Sequence, residues 1–109
     1  MTLIYLASPY SDPDPLVMER RYKQVCLAAG KLMLCGYLVF SPIAHCHPIA
    51  QMCSLPTGAF YWKEYDHRML HGCDELWILI IPGWQSSVGV QLEINIACAA
   101  GIPIKCIGE

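Results

Sequence analysis

Glu93 is a lone carboxylate in the apolar run Val88-Gly89-Val90-Gln91-Leu92-Glu93-Ile94-Asn95-Ile96-Ala97. A carboxylate in such company costs free energy unless something pairs or uses it. On a helix its neighbours one turn away are Gly89, Val90, Ile96 and Ala97, and none carries charge. Two readings follow. Either a basic side chain from another element pairs Glu93 at a sheet edge, or Glu93 is a nucleophile or general base. Just upstream lie Ser86, Ser87 and Gly89. Backbone N–H groups, a hydroxyl and a glycine at a helix start make an anion site, although ordinary N-capping by serine accounts for the same residues.

The other candidates are polar side chains near apolar segments. Asp66 sits between Trp62 and Leu70 at helical spacing and so shares an apolar face. It is either a ligand for a sugar hydroxyl or a solvated boundary residue. Asp74 precedes an apolar strand and serves equally as a turn cap. Arg20 and Arg21 either reach a phosphate or lie on a solvated helix face. His45 and His47 flank Cys46, with Cys53 further on, but the spacing fits no standard zinc pattern. His67 and His71 lack the glutamate of a helical zinc motif. No metal and no cofactor is therefore expected, and a ligand contact from His45 or His47 is the alternative. The chain has no G-x-G-x-x-G, no Walker lysine loop and no nucleophile elbow.

These side chains need elements to position them. Thr2 to Ala7 reads as a buried strand. Asp14-Pro15 reads as an N-cap and first helical residue. The helix should run from Pro15 to about Cys35, with Met18, Tyr22, Val25, Ala29, Leu32 and Met33 as its apolar face and Gly36 as its stop. Tyr37 to Phe40 reads as a second strand. Pro42, Pro48 and Pro56 make the following stretch to Gly58 read as an irregular loop. Phe60 to His71 reads as a helix and Leu76 to Ile81 as a third strand. Ser86 to Gly101 holds the Glu93 helix, and Pro103 to Ile107 is a last strand.

Alternating helices and short apolar strands imply a doubly wound α/β fold. The expected architecture is a flavodoxin- or Rossmann-like parallel sheet of four to five strands in a three-layer αβα sandwich. Residues 1–109 should form one domain. Ligands in such sheets bind beyond the carboxyl ends of the strands. Three segments leave from those ends: Ser8-Pro9-Tyr10-Ser11, Ser41 to His47, and Pro82 to Gly89.

Composition narrows the function. The formal net charge is −2, which argues against binding a nucleic-acid polymer. Apolar residues make up 55% of the chain, enough for a core and too many for a disordered chain. The seven cysteines are odd in number and show no C-x-x-C spacing, as expected of reduced thiols in a cytoplasmic protein. Leu3 to Ala7 is too short and lacks the basic lead-in of a secretory signal, and no apolar run is long enough to span a bilayer.

The opening Ile4-Tyr5-Leu6-Ala7-Ser8-Pro9-Tyr10 resembles the first strand and loop of the nucleoside 2-deoxyribosyltransferase superfamily. The Asp66–Asp74 spacing is similar to that of two aspartates there. Ser87-Val88-Gly89-Val90-Gln91-Leu92-Glu93 resembles the segment carrying its catalytic glutamate. With its Ser-Pro-Tyr start and Pro-Gly-Trp turn, the chain looks most similar to a small bacterial and phage family of unknown function within that superfamily.

The resemblance implies an enzyme that cleaves or exchanges the N-glycosidic bond of a deoxynucleoside or its 5′-monophosphate by a retaining double displacement. Glu93 would be the nucleophile at C1′, Asp66 would orient sugar or base, and Tyr5 would position the glutamate. Ser8, Pro9, Tyr10, His45, Ser87 and Gly89 would contact the substrate. Ser87 is similar to a serine of the nucleoside 5′-monophosphate N-hydrolases that helps hold phosphate, where the transferases tend to carry aspartate. The Gly-rich first loop of those hydrolases is replaced here by Ser8-Pro9-Tyr10-Ser11. Related enzymes complete their sites across subunits, and Tyr61, Trp62 and Trp84 are available to cover. A homo-oligomer is therefore expected. The alternative is a non-catalytic nucleotide-binding module.

Overall fold

The computed structural model describes all of residues 1–109. Its elements are β1 (Leu3–Ala7), α1 (Pro15–Leu34), β2 (Leu38–Phe40), α2 (Pro42–Cys53), α3 (Ala59–His71), β3 (Glu75–Leu79), α4 (Val88–Ala100) and β4 (Ile104–Ile107). The four strands form one parallel sheet in the order β2-β1-β3-β4. The chain moves outward from β1 to β2, then returns past β1 to β3. The crevice at the carboxyl ends of β1 and β3 is thus the switch point of a doubly wound sheet.

Strand alternation builds two cores. On one face Ile4, Leu6, Trp77 and Leu79 pack with Val25, Ala28 and Ala29 of α1. On the other, Tyr5, Ala7, Leu76 and Ile78 pack with Leu70 of α3 and Val90 and Ala97 of α4. Helices on both faces of a parallel sheet give the expected three layers. Each fully buried Leu or Ile contributes roughly 1.5–3 kcal/mol of transfer free energy.

Local signals set most boundaries. Asp14 Oδ1 accepts from Leu16 N at 2.9 Å, and Pro15 opens α1. The apolar face of α1 holds with one exchange. Met33 is 54% exposed, because it lies at the flank of the stripe, and Ala28 is buried instead. Ser87 Oγ accepts from Val90 N at 3.2 Å and begins α4, and Gly101 ends it at φ +71° in the left-handed region that favours glycine.

The stretch expected to be an irregular loop is a helix over its first part. Ser41 Oγ accepts from Ala44 N at 3.1 Å, Pro42 takes the first turn, and α2 continues to Cys53. Pro48 lies inside it. Proline there removes one intrahelical hydrogen bond, yet Pro48 sits on the exposed side while Pro42, His47 and Ala50 bury the other. No helix is long and apolar enough to cross a membrane.

Candidate active site

A cavity of about 310 Å³ opens at the carboxyl ends of the strands. All three segments expected there contribute: Ser8, Tyr10 and Ser11 from the β1–α1 loop, Pro42, Ile43, Cys46 and His47 from α2, and Ser86 to Gly89 at the start of α4. Asp66 and Trp62 of α3 and Glu93 of α4 complete much of the wall. The volume falls at the lower end of the range for small-molecule sites, about 300–1,000 Å³.

Glu93 lies on the second turn of α4, so the helix that caps on Ser87 also carries the carboxylate to the crevice. It is 6% exposed, and no basic group pairs it. Its protein partner is Tyr5, whose hydroxyl donates to Oε2. Tyr5 is fully buried on β1, facing the α3–α4 layer. Burial lifts the Glu93 carboxyl from 4.5 to about 8, and the Asp66 charge pushes the same way while the Tyr5 hydrogen bond opposes both. Burial alone carries Asp66 from 3.8 to about 7. The Tyr5 phenol is raised as well, by burial first and then by the charges of Glu93 and Asp66, so it remains a proton donor. Two carboxyl groups therefore face one cavity, each holding its proton far above the usual range.

Around them the wall is mixed. Ser8 Oγ is buried with no partner in the protein, on a residue that lines the cavity. Ser87 and Gly89 present the start of α4 to the same space. A Cβ on Gly89 would meet only ordinary contacts, with Ala59 Cβ at 3.8 Å and Ser87 Oγ at 3.9 Å, so packing alone does not demand glycine there. Burial pushes the Cys46 thiol up to about 11, which keeps it protonated and a poor nucleophile.

Several expected residues have other places. His45 is exposed, stacks against Tyr65 with centroids 6.3 Å apart, and does not line the cavity. The lining histidine is His47, 3% exposed in its side chain, with Nδ1 2.5 Å from Tyr10 Oη and Nε2 2.9 Å from Glu19 Oε2. Pro9 is buried beneath the loop rather than in the wall. Asp74 Oδ2 accepts from Leu3 N at 2.7 Å, which ties the start of β1 to the approach to β3. Arg20 is exposed. Arg21 is not solvated as a free helix face would be. Its Nη1 donates to Ser11 O at 3.2 Å and Tyr10 O at 3.4 Å, holding the β1–α1 loop from behind.

No group of three or more His, Cys, Asp or Glu side chains is arranged to hold a metal ion, so His45, Cys46 and His47 do not converge on one. Ile43 and Ala50 carry no chemical signal in the sequence, and the choice between His45 and His47 stays open there, because the proline-rich stretch hides the helix that phases them. No curated protein matches the chain. The Ser-Pro-Tyr loop, the capped α4 and the buried Tyr5–Glu93 pair all lie within residues 2–109, which match throughout a family described as a domain of unknown function, DUF1937, and the chain belongs to that family.

Proposed function

We propose that this family lies within the nucleoside 2-deoxyribosyltransferase superfamily and that the chain cleaves or transfers the N-glycosidic bond of a deoxynucleoside or its 5′-monophosphate. The observation that carries this reading is the Glu93 carboxyl. It is buried, held on one oxygen by Tyr5, free of any basic partner, and set in the wall of a cavity. A group with only an ion-pairing role would have a cation beside it.

In the proposed reaction the Glu93 carboxylate attacks C1′ of the sugar as the C1′–N bond breaks. A glycosyl-enzyme ester forms, and water or a second base resolves it with net retention. Tyr5 fixes the attacking carboxylate and, by its hydrogen bond, favours the ionised form. Asp66 on α3 faces the same cavity and orients sugar or base. The start of α4, with Ser87 and Gly89, favours an anionic 5′-phosphate, and the unpartnered Ser8 hydroxyl has hydrogen-bonding capacity to spare. Phe60 and Tyr61, 75% and 53% exposed beside the cavity wall, favour a homo-oligomer.

The test is release of free base from a panel of deoxynucleosides and their 5′-monophosphates, followed chromatographically. The wild type should turn over at least one of them, and Glu93→Gln should lose that turnover by three orders of magnitude or more. Tight binding of deoxynucleotides without turnover would leave the binding module as the correct reading.

A further inference from the structure

The cavity holds a second set of groups that the double displacement does not use. His47 is buried on α2, and both ring nitrogens have protein partners. Nε2 lies 2.9 Å from Glu19 Oε2 of α1. Nδ1 lies 2.5 Å from the Tyr10 hydroxyl. Tyr22, one turn from Glu19 on α1, stacks on the imidazole with centroids 4.2 Å apart and fixes its plane. Tyr10 and His47 both line the same cavity as Glu93. A histidine buried only for packing has no need to place its hydroxyl partner in a ligand cavity.

The order of partners dictates which atom holds which proton. A carboxylate accepts only, so the proton on Nε2 belongs to the bond with Glu19. In the neutral ring Nδ1 then accepts the phenolic proton of Tyr10. When the ring is charged, Nδ1 donates to Tyr10 Oη instead, and the phenolic proton is released toward the cavity. Glu19 Oε2 accepts from Nε2 in either state. The groups facing His47 are thus Glu19 and Tyr22 of α1 and Tyr10 of the loop, with Cys46 beside it on α2. Burial, with Glu19 and Cys46 adding to it, keeps the Tyr10 phenol protonated well beyond neutrality.

We propose that Tyr10, His47 and Glu19 form a proton relay in which Tyr10 is the acid that protonates the departing base, an inference that rests on Glu93 acting as the nucleophile. As C1′–N breaks, its electron pair goes to nitrogen, which takes the Tyr10 proton, and His47 Nδ1 restores a proton to Tyr10 Oη. The ring is then neutral. In hydrolysis, water attacks C1′, the Glu93 ester bond breaks with its electron pair returning to the carboxylate, and the water proton passes through Tyr10 back to Nδ1. The balance is one water consumed, one C–N and one O–H bond broken, and one C–O and one N–H bond formed. Tyr10 is a catalytic residue in this scheme, and Glu19 is a positioning residue acting through His47.

The test compares leaving groups. In 2′-deoxyadenosine and 2′-deoxyinosine the base needs a proton to leave, whereas in N7-methyl-2′-deoxyguanosine it departs already neutral. Each is assayed with and without its 5′-phosphate. For Tyr10→Phe, kcat/KM should fall about 100-fold or more on the first two, the usual scale of general acid catalysis, and less than about 3-fold on the methylated substrate. His47→Gln should show the same split, and Glu19→Gln a smaller one in the same direction. In the glycosyl-enzyme, where the scheme leaves the ring neutral, ¹⁵N NMR of His47 should show the proton on Nε2 with Nδ1 accepting. Equal losses on all substrates, or a neutral ring protonated on Nδ1, would overturn the relay while leaving Glu93 as nucleophile. A wild type inert to the whole panel would instead remove the glycosyl-transfer reading, and the relay's role with it.

Discussion

Burial of Glu93 makes stability depend on pH in a direction opposite to that of most carboxylates. The carboxyl holds its proton to about 8 in the folded chain against 4.5 when exposed. Between those values the folded state binds more protons than the unfolded state, so stability falls as pH rises. It is full below about 4.5, declines through the window, and levels off above about 8. Integrating from pH 5 to pH 8 gives a loss of about 3–4 kcal/mol from this one group. That is a large share of the roughly 5–15 kcal/mol typical of a domain.

Glu93→Gln removes the titration but keeps the acceptor for Tyr5. The variant should match the wild type near pH 5 and exceed it at pH 8. Urea denaturation under reducing conditions reads the difference. With an m-value of about 1–3 kcal/mol/M, the wild-type midpoint should drop by about 1–4 M across the window. The variant should keep only the smaller slope left by Asp66, which titrates in the same direction from a more solvated position. Parallel midpoints for the two proteins between pH 5 and pH 8 would refute the claim that Glu93 is desolvated and unpaired. Working at or below pH 8 also keeps the thiols of the unfolded chain mostly protonated.

Three further outcomes follow from the same geometry. If ionised Glu93 attacks C1′, kcat/KM on N7-methyl-2′-deoxyguanosine, whose base needs no acid to leave, should fall about tenfold per pH unit below about 8, and a flat profile from pH 6 to 8 would contradict that role. Tyr5→Phe removes the hydrogen bond that favours the carboxylate, so the acid limb should move to still higher pH and the rate at pH 7 should drop about 10–100-fold, as measured by the same base-release assay. Gly83→Ala should cost about 1–3 kcal/mol in thermal or urea unfolding, because Gly83 sits at φ +95° and a Cβ there would lie 2.5 Å from Arg21 Nη2, dislodging the guanidinium that braces Tyr10 and Ser11.

The doubly wound sheet was legible because several local signals agreed. Asp14-Pro15 before a helical stripe, Ser87 before an apolar helix, and Gly101 after it each mark a boundary by a hydrogen bond or a dihedral found in the structure. Short apolar runs between these helices leave only a parallel sheet to bury them. The crevice followed from strand order, and with it the convergence of the β1–α1 loop, the α4 start and Glu93. What sequence alone left open at Glu93 was its partner. Ion pairing and a free carboxyl are both compatible with a glutamate in an apolar helix. The choice depends on Tyr5, which is 88 positions away in the chain and meets Glu93 only when β1 lies under α4.

The choice between His45 and His47 turned on α2, and there a real signal was outweighed by proline. Ser41-Pro42 repeats the cap-and-proline pattern of Asp14-Pro15, and Ile43, Cys46, His47 and Ala50 fall at helical spacing. Three prolines across the stretch made a loop the simpler reading, but Pro42 occupies a first turn that has no hydrogen bond to lose. Pro48 forfeits one bond on the solvent side of a helix held by its buried face. The consequence for chemistry is geometric. In an extended segment residues 45 and 47 point the same way, whereas on a helix they are roughly 200° apart. Helical phase therefore places His47 with Ile43, Cys46 and Ala50 in the cavity wall and turns His45 outward against Tyr65. The same phase brings His47 within reach of Glu19 on α1, so the helix fixes both which histidine faces the cavity and which carboxylate meets its Nε2.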